Sequence, residues 1–358
     1  MAWKAWSKIF VNNFEGCVDN TSYFFSLDAL ECSHKLKSQP NSSSNQTTLT
    51  KYSNSMTSSP SVHCLFHADT NTATYVVSDP KSNHAMIIDP VMDYDAAAAR
   101  TSNDHNDKVI SYVETQQLKV DYIVETHVHA DHLTGADYLK AKLGGPQNPN
   151  IQTAIGEHVT KVQKVFQNIF GLDPEKDNFL PDGSQFDMLL KDGQEFELGT
   201  LMVKVMHTPG HTPACINLIV GDAVFTGDTL FMPDSGTARC DFPGGSVTDM
   251  YTSIQKLYNA LPDETRVFVG HDYGAGGSRD IKYETTIGEQ KNLNKQLNSK
   301  TTLEEFEAFR SARDSALKPP RLILPSLQVN LRNGALPPPE ENGTSYLKLP
   351  INVLGAKK

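Results

Sequence analysis

The sequence predicts an α/β protein in which two β-sheets are covered by helices. Strand-type and helix-type segments alternate in two similar rounds, and each round ends in a helix. The chain is large enough for this fold, because 358 residues, of which 38% are hydrophobic, allow one large domain with a sizeable core. Short apolar runs bounded by turn residues predict the strands, and capping residues predict several helix ends.

Residues 1–60 differ in composition from the rest of the chain. Between residues 33 and 60, sixteen of the 28 residues are Ser, Thr or Asn and none is acidic, which predicts a disordered linker. Ahead of the linker, four aromatic residues share one helical face beside two lysines: Trp3, Trp6, Phe10 and Phe14. This face fits a mitochondrial presequence, whereas the lack of arginine and the acidic residues that follow fit a poorly ordered extension or a docking helix. We therefore predict an N-terminal extension at 1–60 and a catalytic domain at 61–358 with a helical and Pro-rich C-terminal part.

The first round of elements follows the linker. β-Branched and apolar residues predict its strands, and the pair Gly144-Gly145 is a typical end for its second helix. The predicted segments are strands at 73–77, 85–88 and 122–125 and helices at 109–116 and 134–143.

The second round repeats this order and leads into a C-terminal helix. Its predicted segments are strands at 201–206, 216–220, 223–225 and 267–269, with a helix at 249–260 before the last strand. Thr302 and Glu305 form a capping-box pattern that opens a helix to about residue 317. Pro319-Pro320 ends that helix, and the Pro-rich tail at 337–339 is predicted to be extended or loop.

The strongest signal of a site is the run Thr-His-Val-His-Ala-Asp-His at residues 126–132, directly after the strand predicted at 122–125. In extended backbone, residues two apart share a face, so His127, His129 and Asp131 can converge on one point. His132, at the turn into the next helix, points elsewhere and can serve a neighbouring point. These four residues at a strand end indicate a metal site.

Three more ligand-type residues follow predicted strands: His211 in His-Thr-Pro-Gly-His-Thr-Pro, Asp228 in Thr-Gly-Asp-Thr, and His271 in Val-Gly-His-Asp-Tyr. A turn His or Asp by itself usually caps backbone amides. Together with the first motif, however, they place seven His and Asp side chains on loops at one edge of a sheet system, as a rigid scaffold presents a site. We interpret His207, which also lies at a strand end, as structural.

Composition excludes several classes of function. The formal net charge is −10 and there is no basic block, which argues against a nucleic-acid binder. No run approaches 18 consecutive apolar residues, so no membrane span is predicted. The five cysteines are scattered and odd in number, which favours a reducing, intracellular compartment over a disulfide framework.

These motifs resemble those of the metallo-β-lactamase superfamily over roughly residues 61–355. The resemblance implies an αβ/βα four-layer sandwich of two mixed β-sheets flanked by helices. Within the superfamily, four further stretches resemble persulfide dioxygenases (sulfur dioxygenases): residues 230–245, 271–273, 284–286 and 319–322. One departure is Ala214, where many relatives carry glycine. The implied activity is oxidation of glutathione persulfide with O₂ to sulfite and glutathione, in sulfide and glutathione metabolism.

The resemblance also implies roles for the candidate ligands. Persulfide dioxygenases hold one Fe(II) through residues that match His127, His211 and Asp228, a set that leaves coordination positions open for persulfide and O₂. His129, Asp131, His132 and His271 would then orient the ligands and waters, or hold a second metal. Hydrolases of the same fold instead hold two zinc ions, with Asp228 bridging them.

Arg239 and Tyr273 are the candidate substrate-binding and catalytic side chains outside the ligand set. A guanidinium can pair with a glutathione carboxylate or with the developing sulfite, and the hydroxyl of Tyr273 lies two residues from His271. The alternative for Arg239 is a salt bridge to Asp241.

Two other functions stay open. A dinuclear zinc thioesterase of the hydroxyacylglutathione hydrolase (glyoxalase II) kind would share the fold and the glutathione moiety. A persulfide sensor or partner-binding module would be non-enzymatic, and the complete ligand set weighs against it. A homodimer also stays open.

Overall fold

The computed structural model describes residues 59–146 and 148–353. The predicted N-terminal helical face and nearly all of the Ser/Thr/Asn-rich linker lie outside these residues, so the interpretation as a mitochondrial presequence stays a prediction. The boundary at residue 60 therefore stays a prediction.

The first sheet has six strands and is mixed. Its strands, in spatial order, are β1 (Ser61–His67), β2 (Thr72–Ser78), β3 (His84–Ile88), β6 (Lys119–Glu125), β8 (Gln152–Gly156) and β9 (Met188–Leu190). Antiparallel pairing joins β1, β2 and β3, and parallel pairing joins β3, β6, β8 and β9. A small separate sheet contains β5 (Arg100–Ser102), β4 (Val91–Asp95) and β7 (Leu133–Thr134).

The second sheet also has six strands and is mixed. In spatial order these are β10 (Glu195–Leu198), β11 (Leu201–His207), β12 (Ile216–Val220), β13 (Ala223–Phe225), β14 (Arg266–Phe268) and β15 (Glu284–Thr286). Only the β13–β14 pair is parallel. The main core lies between the two sheets. Side chains alternate between the two faces of each strand, so in β12 Leu218 belongs to this core, whereas Ile219 faces the helices on the other side.

Eight helices complete the described part of the chain: α1 (Asp104–Thr115), α2 (Ala136–Leu143), α3 (Val159–Phe170), α4 (Val247–Ala260), α5 (Gly274–Gly277), α6 (Ile287–Leu293), α7 (Leu303–Ala316) and α8 (Ile323–Asn330). Helices α1 and α2 pack on the outer face of the first sheet. Helices α4 and α6 pack on the outer face of the second sheet. The layers are therefore helix, sheet, sheet, helix, which confirms the predicted four-layer sandwich.

The predicted elements are confirmed, with ends that differ from the prediction by up to five residues. Helix α1 begins at Asp104 rather than at residue 109, because acidic residues favour a first helical turn that has no apolar periodicity. Helix α2 begins at Ala136 rather than at residue 134, because Thr134 pairs with Val91 in the small sheet. The Thr302–Glu305 capping box is present at the start of α7. Residues 331–353 contain no helix or strand, as predicted for the tail.

Some elements were not predicted. They are β1, β4, β5, β7, β8, β9, β10, β15, α3, α5, α6 and α8. Within the described residues, no helix combines the length and the apolar character needed to cross a membrane.

Candidate metal centre

The candidate ligands lie where strands of both sheets end. Residues 126–132 follow β6 directly, and the other three candidates follow strands of the second sheet within four residues: His211 after β11, Asp228 after β13 and His271 after β14. Six of the seven side chains are buried, and Asp131 is partly exposed. The structure therefore brings together all seven residues that the sequence singled out.

Backbone hydrogen bonds join these strand-end loops across the two sheets. The N–H of Ile216 donates to the carbonyl of Thr126 at 3.0 Å, and the N–H of Gly270 donates to the carbonyl of Gly227 at 3.2 Å. The N–H of Ala73 donates to the carbonyl of Gly270 at 2.9 Å. Thr126, Gly227 and Gly270 each precede a candidate ligand, so these bonds help to hold the ligand-bearing loops in place.

An oxygen atom fixes Nδ1 of four of the histidine rings. The partners are the hydroxyl of Thr126 for His127 (3.0 Å) and the carbonyls of Leu133 for His132 (3.0 Å), Arg239 for His211 (2.8 Å) and Asn71 for His271 (3.0 Å). A neutral ring that donates from Nδ1 to a carbonyl carries its lone pair on Nε2. The Nε2 atoms of these rings are thus prepared as ligands, in the arrangement usual for metal-binding histidines.

Several buried ligand atoms have no hydrogen-bond partner among the described residues. They include Nε2 of His127, Nδ1 of His129, Nε2 of His132 and Oδ1 of Asp228. An unsatisfied buried polar atom costs about 1–3 kcal/mol, so four in one cluster call for a ligand. Imidazole nitrogens and carboxylate oxygens suit a transition-metal cation, and the residues present therefore fit a metal site.

The donors form two compact groups. The ligand atoms of His127, His211 and Asp228 lie within 4.8 Å of one another, and so do those of His129, Asp131 and His132.

His271 and Asp228 link the two groups. Nε2 of His271 is 3.3 Å from Oδ1 of Asp228 and 3.5 Å from Oδ2 of Asp131. The other carboxylate oxygen of Asp228, Oδ2, is 3.6 Å from Nε2 of His211. Asp228 therefore stands between the groups.

Two buried carboxylates that sequence reasoning missed lie beside His129, and one of them, Asp89, makes a hydrogen bond to it. Its Nε2 lies 3.0 Å from Oδ1 of Asp89 and 3.1 Å from Oε2 of Glu125. Asp89 also accepts hydrogen bonds from the backbone N–H and the hydroxyl of Thr126, both at 2.7 Å. The sequence signal that could have found them is their position at strand ends, because Asp89 follows the apolar strand β3 and Glu125 is the last residue of β6.

Burial and nearby charges shift the pKa values of the site histidines in opposite directions. Burial, followed by the neighbouring histidines, lowers the pKa of His127, and burial lowers the pKa of His132 to about 3, so both rings are neutral at pH 7. Burial also opposes charge on His129 and His271, but nearby carboxylates outweigh it and raise the pKa of both. Asp89 is the main cause at His129 and Asp228 at His271. At His271, the carboxylates that favour a proton on Nε2 also favour a metal cation in the same position. At His129, the two carboxylates face Nε2, and Nδ1 is the atom without a hydrogen-bond partner.

A cavity of about 900 Å³ opens above the donors. Its walls include Asp131, His211, Asp228 and His271 from the metal-binding groups, together with Arg239, Tyr273, Arg313 and Arg321. A volume of this size suits a small-molecule substrate.

The guanidinium of Arg239 makes the predicted salt bridge to Asp241. Nε and Nη2 donate to the two carboxylate oxygens at 2.6 and 2.7 Å, and Nη1 donates to the carbonyl of Lys318 at 2.8 Å. The side chain lines the cavity while its own carbonyl fixes His211. The alternative considered for Arg239 is therefore present, and its role in substrate binding stays a prediction.

Tyr273 lies over the centre, and His207 lies outside it. The ring of Tyr273 is nearly parallel to that of His271, with centroids 6.2 Å apart, and 48% of the residue is exposed. The ring of His207 bonds instead to the carbonyl of Pro213 at 3.0 Å.

An αβ/βα sandwich with clustered His and Asp ligands at its strand ends defines a metal-dependent class of enzymes. The chain belongs to the metallo-beta-lactamase superfamily, whose family model matches residues 68–271. This finding confirms the resemblance that the sequence motifs indicated.

Individual relatives within the superfamily bear different names. The chain is 47% identical over 284 residues to Glyoxylase B2 of Dictyostelium discoideum, covering 79% of this chain and 94% of that protein. It is 27% identical over 277 residues to the mitochondrial persulfide dioxygenase ETHE1 of Mus musculus, covering 77% and 89%. A crystal structure of ETHE1 from Myxococcus xanthus matches with a TM-score of 0.59 and 27% identity, covering 77% of this chain and all of that one.

Proposed function

We propose that this protein is a persulfide dioxygenase that converts glutathione persulfide, O₂ and water to glutathione and sulfite. The observation that carries the proposal is the compact group of His127, His211 and Asp228, whose ligand atoms lie within 4.8 Å of one another. Two histidines and one carboxylate form the ligand set of non-heme Fe(II) oxygenases. The homology to ETHE1 proteins supports the same conclusion.

The three residues would hold one Fe(II) ion. When bound there, iron supplies a redox-active cation with open positions at which a sulfur anion and O₂ come together. The carbonyl of Arg239 holds the ring of His211, and the hydroxyl of Thr126 holds that of His127, so both Nε2 atoms are oriented before any ligand arrives.

His129 and its carboxylates act as a buried anchor in this proposal. Asp89 contacts both His129 and Thr126, the residue that precedes His127. The anchor thereby fixes the backbone on which the first ligand is carried. His132, Asp131 and His271 line the remainder of the centre and orient water and substrate.

The mouth of the cavity favours an anionic substrate. Arg313 and Arg321 are exposed and line the cavity, and no described carboxylate lies within salt-bridge distance of either guanidinium. Glutathione carries two carboxylates, which arginine can bind in bidentate fashion. The walls thus suit a glutathione-linked substrate whose sulfur end reaches the metal-binding groups.

A second candidate is a dinuclear zinc thioesterase that cleaves a glutathione thioester. The specific observation in its favour is the position of Asp228, whose Oδ2 faces His211 and whose Oδ1 faces His271. A carboxylate between two donor groups suits a metal bridge. The similarity to Glyoxylase B2 also favours this candidate.

One sample distinguishes the two functions. Protein purified anaerobically and loaded with iron is given glutathione persulfide in an oxygen electrode, and a portion is assayed with a glutathione thioester. We expect one O₂ consumed per sulfite formed and only trace thioester cleavage. Rapid thioester cleavage without O₂ uptake would replace the proposal with the zinc thioesterase.

A further inference from the structure

A second cavity, of about 690 Å³, lies beside the site cavity. Asp69, Thr70 and Arg321 line both cavities, whereas His67 and Asp93 line only the second. The turn that contains Thr70 therefore forms part of the wall between the two spaces, together with Arg321.

A hydrogen-bonded chain runs through this wall. Nδ1 of His67 is 2.8 Å from Oγ1 of Thr70, and Nε2 of His67 is 3.1 Å from Oδ1 of Asp93. The other carboxylate oxygen of Asp93 accepts from the N–H of His105 at 3.0 Å. The order is carboxylate, imidazole, hydroxyl, and the residue that carries the hydroxyl, Thr70, lines both cavities.

The directions of these hydrogen bonds follow from chemistry. An ionised carboxylate only accepts, so Nε2 of His67 carries the proton and a neutral ring leaves Nδ1 as acceptor. Thr70 must then donate to Nδ1 and accept from another donor. The hydroxyl of Thr72, 2.8 Å away, is placed to donate to it.

We propose that Thr70, His67 and Asp93 form a proton relay that carries protons from the site cavity to the second cavity. Thr70 passes its hydroxyl proton to Nδ1 of His67, while the lone pair of its oxygen that Thr72 does not use accepts a proton from water in the site cavity. The resulting imidazolium passes its Nε2 proton to Asp93, which lines the second cavity and releases the proton to water there. A rotation of the ring then exposes Nδ1 to that water, which removes the Nδ1 proton and returns one to Nε2, and this restores the starting state. His67 acts through Thr70 and is a positioning residue.

The proposed reaction releases protons that such a relay can remove, and in this respect the inference rests on the proposed function. Glutathione persulfide, O₂ and water yield glutathione, sulfite and two protons, which the relay would carry away from the buried candidate ligands. Thioester hydrolysis releases one proton, so the relay serves the second candidate as well.

Several charged or titratable groups surround the imidazole of His67. They are Asp93 from β4, His105 and Asp104 from α1, Asp69 from its own turn, and Arg100 and Arg321 across the second cavity. Asp93 contacts the ring of His67 directly and favours its imidazolium form. The ring of His105 lies 5.0 Å from that of His67 between centroids, and its Nε2 bonds to the hydroxyl of Thr74 rather than to Asp93.

The test compares His67→Gln with His63→Gln in the metal-loaded protein, using whichever substrate the unchanged protein turns over. His63 lies on the same strand but stacks on Tyr112 and lines neither cavity, so its variant is a matched control. We expect His67→Gln to lower kcat about 100-fold with KM and metal content unchanged and the acidic limb of the kcat–pH profile lost. The control should match the unchanged protein.

A readout independent of activity is the ¹⁵N spectrum of His67 in zinc-loaded protein. We expect Nε2 to be protonated and Nδ1 to be unprotonated, with this preference lost in Asp93→Asn. An unchanged kcat and pH profile in His67→Gln, loss of metal in that variant, or a protonated Nδ1 would each overturn the relay. If persulfide is not oxidised, the proposed function fails, yet the spectrum and the thioester reaction still test the relay.

Discussion

Replacing Gly227 with alanine should damage the metal centre through a residue that binds no metal. Gly227 precedes Asp228 and has a φ of 45°, in the left-handed region. A Cβ atom there would lie 2.3 Å from Oγ1 and 2.7 Å from Cβ of Thr126. Thr126 holds Asp89 and precedes His127, so the substitution presses on the loops that carry two candidate ligands.

The loss of folding stability expected for Gly227→Ala has two contributions. A left-handed alanine costs about 1–2 kcal/mol, and an overpacked contact costs about 1–3 kcal/mol more. Gly171 isolates the first part, because its φ is 57° and nothing lies within 4 Å of a Cβ added there. Gly227→Ala should therefore lose about 1–3 kcal/mol more stability than Gly171→Ala.

Urea unfolding of the two metal-free variants measures this difference, and metal analysis after reconstitution measures the effect on the site. We expect Gly171→Ala to bind metal normally and Gly227→Ala to bind it more weakly. Equal stability losses together with equal metal contents would refute the argument that the Gly227–Thr126 contact shapes the centre.

Three further predictions test other parts of the account. Asp228→Ala should empty the site because it removes the carboxylate that stands between the two donor groups, and full metal content in that variant would remove Asp228 from the ligand set. Arg239→Ala should keep its metal, since the backbone carbonyl that fixes His211 remains, but should lower kcat/KM about ten-fold, and unchanged kinetics would leave Arg239 a purely structural role. Burial, with His67 next, lowers the pKa of His105 to about 4, so the unfolded chain binds the proton more tightly and stability is lost as the pH falls from about 6.5 towards 4. Metal-free protein should lose on the order of 1–2 kcal/mol more than His105→Gln between pH 7 and 5 in urea unfolding, and parallel losses would contradict this.

The sequence was sufficient for features that depend on local pattern. His127, His129 and Asp131 alternate after an apolar strand, and the alternation alone predicts that they share a face. Gly-Gly and Pro-Pro pairs marked helix ends, and Thr302 with Glu305 marked a helix start that the structure contains. The amphipathic pattern of α3 was also readable, because Val159, Val162 and Phe166 lie on one buried face, but no prediction was made there.

The missed contacts depend on pairing between distant segments. Asp89 meets His129 because β3 and β6 pair in parallel with Ile88 opposite Val124, and this register places the two strand ends side by side. His67 and Asp93 likewise come from separate sheets. Neither pairing leaves a periodic signal along the chain, so sequence patterns predicted the ligands but not the residues that hold them.

The measurement that tests the central claim most directly is an anomalous-scattering map, recorded at the iron edge, of crystals grown from anaerobically purified protein. The account predicts one iron peak per chain, bounded by His127, His211 and Asp228. Two metal peaks, with the second bounded by His129, Asp131 and His132, would contradict the mononuclear iron centre and favour the dinuclear thioesterase.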